Sequence, residues 1–387
     1  MKAESHCLRI RFISSTPMNV NQGSGTYVGI ETLARSLRTL GVNVDTVSPH
    51  FQFPIFTARR LLFNQWLRFQ PNNDYDATIG FDMDGYTIAG NHKSKNTVHI
   101  ASIKGVIADE MRFEAGFTNM TMRIQAACEA EHVRRSDFVM TTSAYSAGRI
   151  RDLYGVTEAP RIIPELIDLQ AWADLAKNLD QNNGPPRAGK FIVKFIVLTV
   201  CRFYPRKRLP ILLAAAARLR TRIPNLELRI VGGGPEEDRL RSICREKHLD
   251  DIVVWRQNIS KSELAREYGQ CHVFCLPSVQ EGFGIVFLEA MANAKPIVAA
   301  QAAATPEVVQ HGLLAEPDND CELADAIERL YRDPLLRESL GNAGREFVRR
   351  FDAPVVARMF LRELEECIAL KSNSLNVRSS NPAPRAG

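Results

Sequence analysis

The sequence predicts an α/β protein of two domains, each a largely parallel sheet layered with helices. Three observations predict it. At 387 residues the chain exceeds one ordinary core. Apolar runs of strand length alternate with helix-periodic segments almost throughout. The alternation breaks once, in the stretch 178–190, where Asn182-Asn183-Gly184-Pro185-Pro186 supplies turn formers and no apolar periodicity. The expected division is a first domain over 1–177, a linker over 178–190 and a second domain over 191–352. A helix over 353–371, free to cross back to the first domain, and a disordered tail over 372–387 complete it.

The elements follow in order. Apolar, β-branched runs predict strands at Cys7–Ser14, Val42–Val47, Ala77–Gly80, Thr97–Ala101 and Phe138–Thr142, with helices at Val28–Leu40 and Thr121–Arg135. Beyond the linker come strands at Phe191–Val200, Leu226–Val231, Ile252–Trp255, Val273–Leu276 and Pro296–Ala300. Helices are expected at Leu209–Arg222, Glu236–Lys247, Ser262–Tyr268, Ile285–Ala294 and Cys321–Tyr331, then at Pro354–Leu370. The near-continuous apolar run Phe191–Val200 implies burial on both sheet faces. Two open α/β domains place a ligand in the cleft between them, at the carboxyl ends of their strands. Candidate functional residues are therefore those just after each strand.

Composition narrows the classes. With 45% hydrophobic and 24% charged residues the chain has the balance of a globular protein. No apolar run approaches the roughly 20 residues of a bilayer span. Met1–His6 is polar and lacks the features of a secretory signal, so a cytoplasmic protein is expected. The net charge of +5 permits attraction to phosphate or to the inner face of an anionic membrane, and no nucleic-acid partner is expected. The eight cysteines form no CxxC pair and no zinc spacing; they suit a reducing compartment, with Cys271 and Cys275 expected on one strand face.

The most informative segment is Ser278 to Met291. It leaves a predicted strand and enters a helix through Gly282 and Gly284, where glycine lets backbone approach a ligand and free N–H groups favour an anion. Glu281 precedes that helix start and Glu289 lies two turns into it, so the two carboxylates are placed to accept hydroxyl hydrogen bonds from different rings of one extended ligand. After the first strand of the second domain comes Cys201-Arg202-Phe203-Tyr204-Pro205-Arg206-Lys207-Arg208. Fixed cations of this kind stabilise the charge that develops on a departing diphosphate.

The E-x7-E pair Glu281/Glu289 with Gly282-Phe283-Gly284 closely resembles the retaining family-4 glycosyltransferases, whose GT-B fold has two Rossmann-like domains with parallel sheets facing across a cleft. The resemblance implies that Glu281 touches hydroxyls of the transferred sugar and Glu289 binds the nucleotide ribose. It gives the backbone of Phe283, Gly284 and Ile285 the sugar and diphosphate, and matches Arg202 and Lys207 to the family's R-x4-K diphosphate pair. Val231-Gly232-Gly233-Gly234-Pro235, Pro277-Ser278 and Thr305-Pro306-Glu307-Val308-Val309 resemble further family segments. Arg208, Ala303 and Ala304 stand where members commonly carry glycine.

The first domain carries weaker signals. Gly23-Ser24-Gly25 opens a helix and could present N–H groups to a phosphate; with Gly29 and Asp45 it also imitates a nicotinamide fingerprint, although the gap from the preceding strand is too long for that tight turn. By the resemblance this loop, Gly25 included, faces the diphosphate and acceptor. Family members place a histidine after a mid-domain strand; here Lys104 falls in the loop and His99 inside the strand, and both stay candidates. Asp82-Met83-Asp84 imitates a metal-binding DxD, but the fold uses protein cations, so Asp82 and Asp84 are assigned to acceptor hydroxyls or to solvent, and no metal is expected. Glu131, Asp137 and Ser143 resemble the segment ending the first sheet, and Pro164 to Asp168 the inter-domain hinge. Phe51 to Phe69, with Arg59, Arg60 and Arg68, reads as a basic aromatic helix, either resting on a membrane surface or packed on the sheet.

The expected activity is transfer, with retention, of a sugar from a nucleotide diphosphate to a hydroxyl of a saccharide, lipid-linked or small-molecule acceptor. UDP-sugars are favoured over GDP-sugars and no cofactor is needed. The alternatives are another GT-B enzyme, an epimerase or phosphorylase, or a non-catalytic sugar-nucleotide-binding protein.

Overall fold

The computed structural model describes residues 7–16, 25–51, 53–71, 75–90, 97–182 and 194–380. It divides into two compact units, Met1–Pro164 with Ala353–Gly387, and Glu165–Asp352.

The first unit holds a six-stranded parallel sheet in the order β2-β1-β3-β4-β5-β6. Its strands are β1 (Arg9–Ile13), β2 (Asn43–Val47), β3 (Ala77–Phe81), β4 (Val98–Ile103), β5 (Phe138–Thr141) and the short β6 (Arg161–Ile162). The helices are α1 (Gly25–Thr39), α2 (Phe56–Leu67), α3 (Ile107–Glu110), α4 (Gly116–Arg135) and α5 (Ala144–Tyr154). β3 and β4 are buried at every residue, as expected of central strands covered on both faces. Helix α5 starts where the Ser143 hydroxyl accepts the Ser146 N–H (3.1 Å) and stops at Gly155 in the left-handed region.

The second unit opens with α6 (Leu169–Asn182) and alternates β7 (Phe195–Val200), α7 (Leu209–Leu219), β8 (Leu226–Val231), α8 (Glu237–Glu246), β9 (Val253–Arg256), α9 (Lys261–Gln270) and β10 (Val273–Leu276). It continues through α10 (Ile285–Ala292), β11 (Ile297–Ala300), α11 (Thr305–Val308), β12 (Gly312–Ala315), α12 (Asp320–Arg332) and α13 (Pro334–Phe347). The strands pair in parallel as β12-β11-β10-β7-β8-β9. One sheet face packs Leu212, Leu213, Leu240 and Ile327; the other packs Tyr268, Phe287, Leu288 and Met291. Cys275 joins the first cluster and Cys271 the second, which corrects the expectation that they share a face. Cys271 ends α9 before the strand starts, so the strand alternation does not reach it.

The last helix, α14 (Ala353–Ser380), belongs to the first unit. Phe360 packs edge-on against Phe12 of β1, and Arg161 pairs with Glu363 and Glu366. Lys371 reaches the Thr97 carbonyl (2.7 Å) and Asp137 (2.6 Å).

Three boundaries differ from the sequence reading. The units divide at Pro164/Glu165 rather than at 177, inside the hinge-like segment. Residues 178–182 are helix rather than linker: Asp168 caps the first turn of α6, Trp172 packs edge-on against Tyr268, and a nucleated helix propagates cheaply into a polar end. Residues 183–190 of the expected linker lie outside the described residues. The helix after 353 likewise runs to Ser380 instead of stopping at 371; only 381–387 of the expected tail lie outside the described residues.

Candidate active site

In an open parallel sheet a crevice forms where the strand order reverses and two neighbouring loops diverge. In the second unit that point lies between β7 and β10, so the loops after these strands flank it.

Backbone hydrogen bonds lace these loops together. Phe203 N–H donates to the Gly233 carbonyl (3.0 Å) and Glu236 N–H to the Phe203 carbonyl (3.1 Å), fixing the β7 loop against the β8 loop. The approach is so close that a Cβ on Gly232, whose φ is +134°, would stand 1.9 Å from the Cys201 carbonyl oxygen. On the other side Val279 N–H (2.9 Å) and the Ser278 hydroxyl (3.2 Å) both donate to the Arg206 carbonyl. The Ala304 N–H donates to the Glu281 carbonyl (3.3 Å), adding the β11 loop.

This lacing brings Lys207 and Glu281 together, with Lys207 Nζ 2.5 Å from Glu281 Oε1 and both side chains largely buried. Arg202, the other predicted cation, is exposed, and its side chain has no partner among the described residues. Gly284 takes a left-handed conformation (φ +93°) as the N-cap of α10, and no side chain caps that end. A Cβ at Gly284 would meet the Phe287 ring at 2.6 Å. Ile285 is the first helical residue, so the first N–H groups of α10 have no side-chain acceptor. The Phe283 side chain is buried against Phe351, which leaves its backbone for a ligand. Farther along α10, Glu289 Oε2 accepts the Tyr268 hydroxyl (2.8 Å). Burial pushes the Glu289 carboxyl up to about 7, against the opposing pull of that hydrogen bond. Tyr268 escaped the sequence reading: it stands 21 residues from Glu289, and helical periodicity alone assigns it to the core.

Two of the three non-glycine positions keep glycine's backbone, while Ala304 is right-handed (φ −78°). Arg208 (φ +53°) and Ala303 (φ +50°) both sit in the left-handed region, at about 1–2 kcal/mol each. Arg208 Nε pairs with Asp318 at 2.8 Å.

The candidate residues of the first unit divide differently. Asp84 is fully buried rather than solvated or facing an acceptor. Its Oδ2 accepts Ser15 N–H (2.7 Å), the Ser15 hydroxyl (2.6 Å) and Arg60 (3.3 Å), and its Oδ1 accepts Asn64 (3.0 Å). Asp82, at the end of β3, has φ +54° and accepts the Lys104 N–H at 2.8 Å. Burial raises its carboxyl to about 6, opposed by Arg60. His99 is buried within β4, its Nδ1 2.7 Å from the Thr78 hydroxyl and its Nε2 3.0 Å from Nε2 of His132. His99 is thus an internal group, and Lys104 occupies the loop after β4. Gly25 opens α1; Gly23 and Ser24 lie outside the described residues. Asp137 accepts the His99 N–H (2.8 Å), Ser143 caps α5, and Glu165 is buried.

Two parallel six-stranded sheets of this kind, each layered with helices, define the GT-B fold. The structure is similar to sucrose-phosphate synthase from Thermosynechococcus elongatus, with a TM-score of 0.78 and 22% identity, over 94% of this chain and 100% of that one. It is also similar to the Anabaena protein HepE in complex with UDP and glucose, with a TM-score of 0.70 and 18% identity, over 93% and 100% of the two chains. Residues 184–347, which hold every loop of the second-unit site, match the model of the glycosyl transferases group 1 family. A GDP-mannose-dependent alpha-(1-6)-phosphatidylinositol monomannoside mannosyltransferase of Mycobacterium tuberculosis is 30% identical over 230 residues, covering 55% of this chain and 57% of that protein. A D-inositol 3-phosphate glycosyltransferase of Pseudarthrobacter chlorophenolicus is 35% identical over 156 residues, 38% of this chain and 37% of that protein. The chain thus spans under three-fifths of the length of these curated relatives.

Proposed function

We propose that the protein is a glycosyltransferase that moves a sugar, with retention of anomeric configuration, from a nucleoside diphosphate to an acceptor hydroxyl. The observation that carries this reading is the Lys207–Glu281 pair beside the uncapped start of α10, at the switch point of the second sheet. A pyrophosphate placed there meets the ammonium of Lys207, the guanidinium of Arg202 and the N–H groups at Gly284 and Ile285. These groups stabilise the charge that builds as the glycosidic bond breaks, without reorganisation at the moment of reaction. Glu281, already held by Lys207, orients the sugar through its hydroxyls, and Glu289 accepts a ribose hydroxyl. The departing phosphate oxygen takes the acceptor proton, so the step needs no metal and no separate base.

A uridine diphosphate sugar is the first donor to test. GDP-mannose, named in the mycobacterial relative, is the second. The acceptor is a saccharide, a lipid-linked sugar or a small polyol, and inositol derivatives lead that list because two of the relatives' names carry inositol. The test is a thermal-shift panel of nucleotide sugars followed by transfer assays with the stabilising donor. A ligand at about 100 times its Kd stabilises by about 2.7 kcal/mol. Anomeric proton couplings in the product report retention. If no nucleotide sugar shifts the melting temperature, or if Lys207→Ala binds the donor as tightly as the parent, the reading fails.

A further inference from the structure

Helix α2 is apolar on two sides. Phe63 and Leu67 are fully buried against the sheet, whereas Ile55, Leu62 and Phe69, spaced at successive sevens, stand outward at 48%, 48% and 84% exposure. Phe69 follows the helix end but stays in line, because Arg68 keeps helical dihedrals and the Phe69 N–H donates to the Trp66 carbonyl. Helix α4 adds a second outward apolar row, Phe117, Met120 and Ile124, while Gln125, Ala126 and Glu129 face inward. The helices are joined by Arg60 and Thr57 of α2, both bonded to Gln125 of α4 at 3.0 and 2.9 Å. Neither segment carries a carboxylate over 51–73 or 115–128, and Arg68 and Arg123 stand exposed beside the two apolar rows.

Exposed apolar rows with Arg68 and Arg123 beside them, and with carboxylates only beyond the ends of the α4 row at Glu114 and Glu131, fit the boundary between acyl chains and anionic headgroups, where the rings and aliphatic side chains enter and the guanidinium groups stay with phosphate. We propose that the outer faces of α2 and α4 form one surface that seats this protein on an anionic lipid bilayer. An acidic protein partner would place its carboxylates among these apolar rows, and a second copy would bring like charges together. A bilayer incurs neither penalty. Among the described residues no helix is long and apolar enough to cross a membrane, so the contact is one of resting on the surface.

The test is cosedimentation of the full chain with vesicles of phosphatidylcholine alone or with about one-third phosphatidylglycerol, without donor or acceptor, so that its outcome is independent of the transfer activity. Binding to the anionic vesicles, weakened by salt and absent with phosphatidylcholine alone, is expected. The combined Leu62→Ser, Phe69→Ser, Phe117→Ser and Ile124→Ser variant should bind at least tenfold more weakly, with an unchanged thermal midpoint because all four side chains are exposed. Arg68→Gln and Arg123→Gln should each weaken binding about fivefold. Failure to sediment with anionic vesicles, or equal binding by the fourfold variant, overturns the proposal. So does a dimer in sedimentation velocity that the fourfold variant abolishes while vesicles are ignored.

Discussion

The two sheets are built alike, and each has one switch point, between β1 and β3 in the first unit and between β7 and β10 in the second. Their polar residues at those points have opposite fates. After β1 and β3, Ser15 and Asp84 bond to each other and to Arg60 and Asn64 of α2, and all four lie buried. After β7 and β10, Lys207 and Glu281 meet while Arg202 and the start of α10 keep unused capacity. The same topology therefore yields a structural knot in one unit and a ligand-ready edge in the other. What separates them is whether each charge has its partners inside the protein.

Substitutions can break that comparison. The largest stability effect is expected from Asp84→Ala, which leaves the buried Arg60 without its counter-charge: about 3–5 kcal/mol lost in urea unfolding. A loss under 1 kcal/mol would show that the knot is not structural. Lys207→Ala should lower kcat/KM for the donor by about 100- to 1,000-fold, with far less effect on the unfolding midpoint than Asp84→Ala. A variant with normal turnover would erase the distinction.

Acid should act on the first unit through its histidines. Burial holds His132 at about 4 and, with His132 as neighbour, keeps His99 well below its ordinary 6.5. Their folded-state values lie below the unfolded ones. The stability they confer is therefore complete above about 6.5 and is lost as pH falls toward 4. Asp82, Glu129 and Glu289 are shifted upward and act with the opposite sign, so the informative quantity is a difference. The gap in unfolding free energy between the parent and His132→Gln should narrow from pH 7 to pH 4; a constant gap would remove the pair as the acid-sensitive element.

In the second unit, nucleotide affinity should fall as pH drops through about 7, because Glu289 takes up a proton there and ceases to be a full acceptor. Tyr268→Phe removes the bond that opposes the upward shift, so calorimetric titrations should place the midpoint at higher pH. The smallest expected effect is at Ala294, whose φ is +52°: Ala294→Gly should stabilise by about 0.5 kcal/mol in thermal unfolding.

Much of this was legible in the residues. Central strands such as Phe195–Val200 and Leu226–Val231 announce themselves as unbroken or alternating apolar runs, and the loops after them stand out as glycine beside charge. Two of the four edge strands did not. Gly312–Ala315 and Arg161–Ile162 are too short to show a period, and α5 and α13 went unread among polar residues. Loop residues of the site were readable because their chemistry is local. The partners of Asp84 were not: Ser15 comes from the loop after β1 and Arg60 and Asn64 from α2, and only the closed sheet brings them to one carboxylate. Asp82-Met83-Asp84 misled for the same reason, since spacing alone cannot tell a ligand pair from one buried acid and its neighbour.

The return of α14 to the first unit has a consequence for biosynthesis. Glu165–Asp352 is one uninterrupted stretch, so it can complete its contacts as it leaves the ribosome. The earlier-made stretch of the first unit must wait, with the outer side of Phe12 uncovered, until Phe360 and its helix emerge after the whole of the second unit. Order of synthesis and order of completion are thus reversed, and the half-built first unit is the stage at which a chaperone has most to protect.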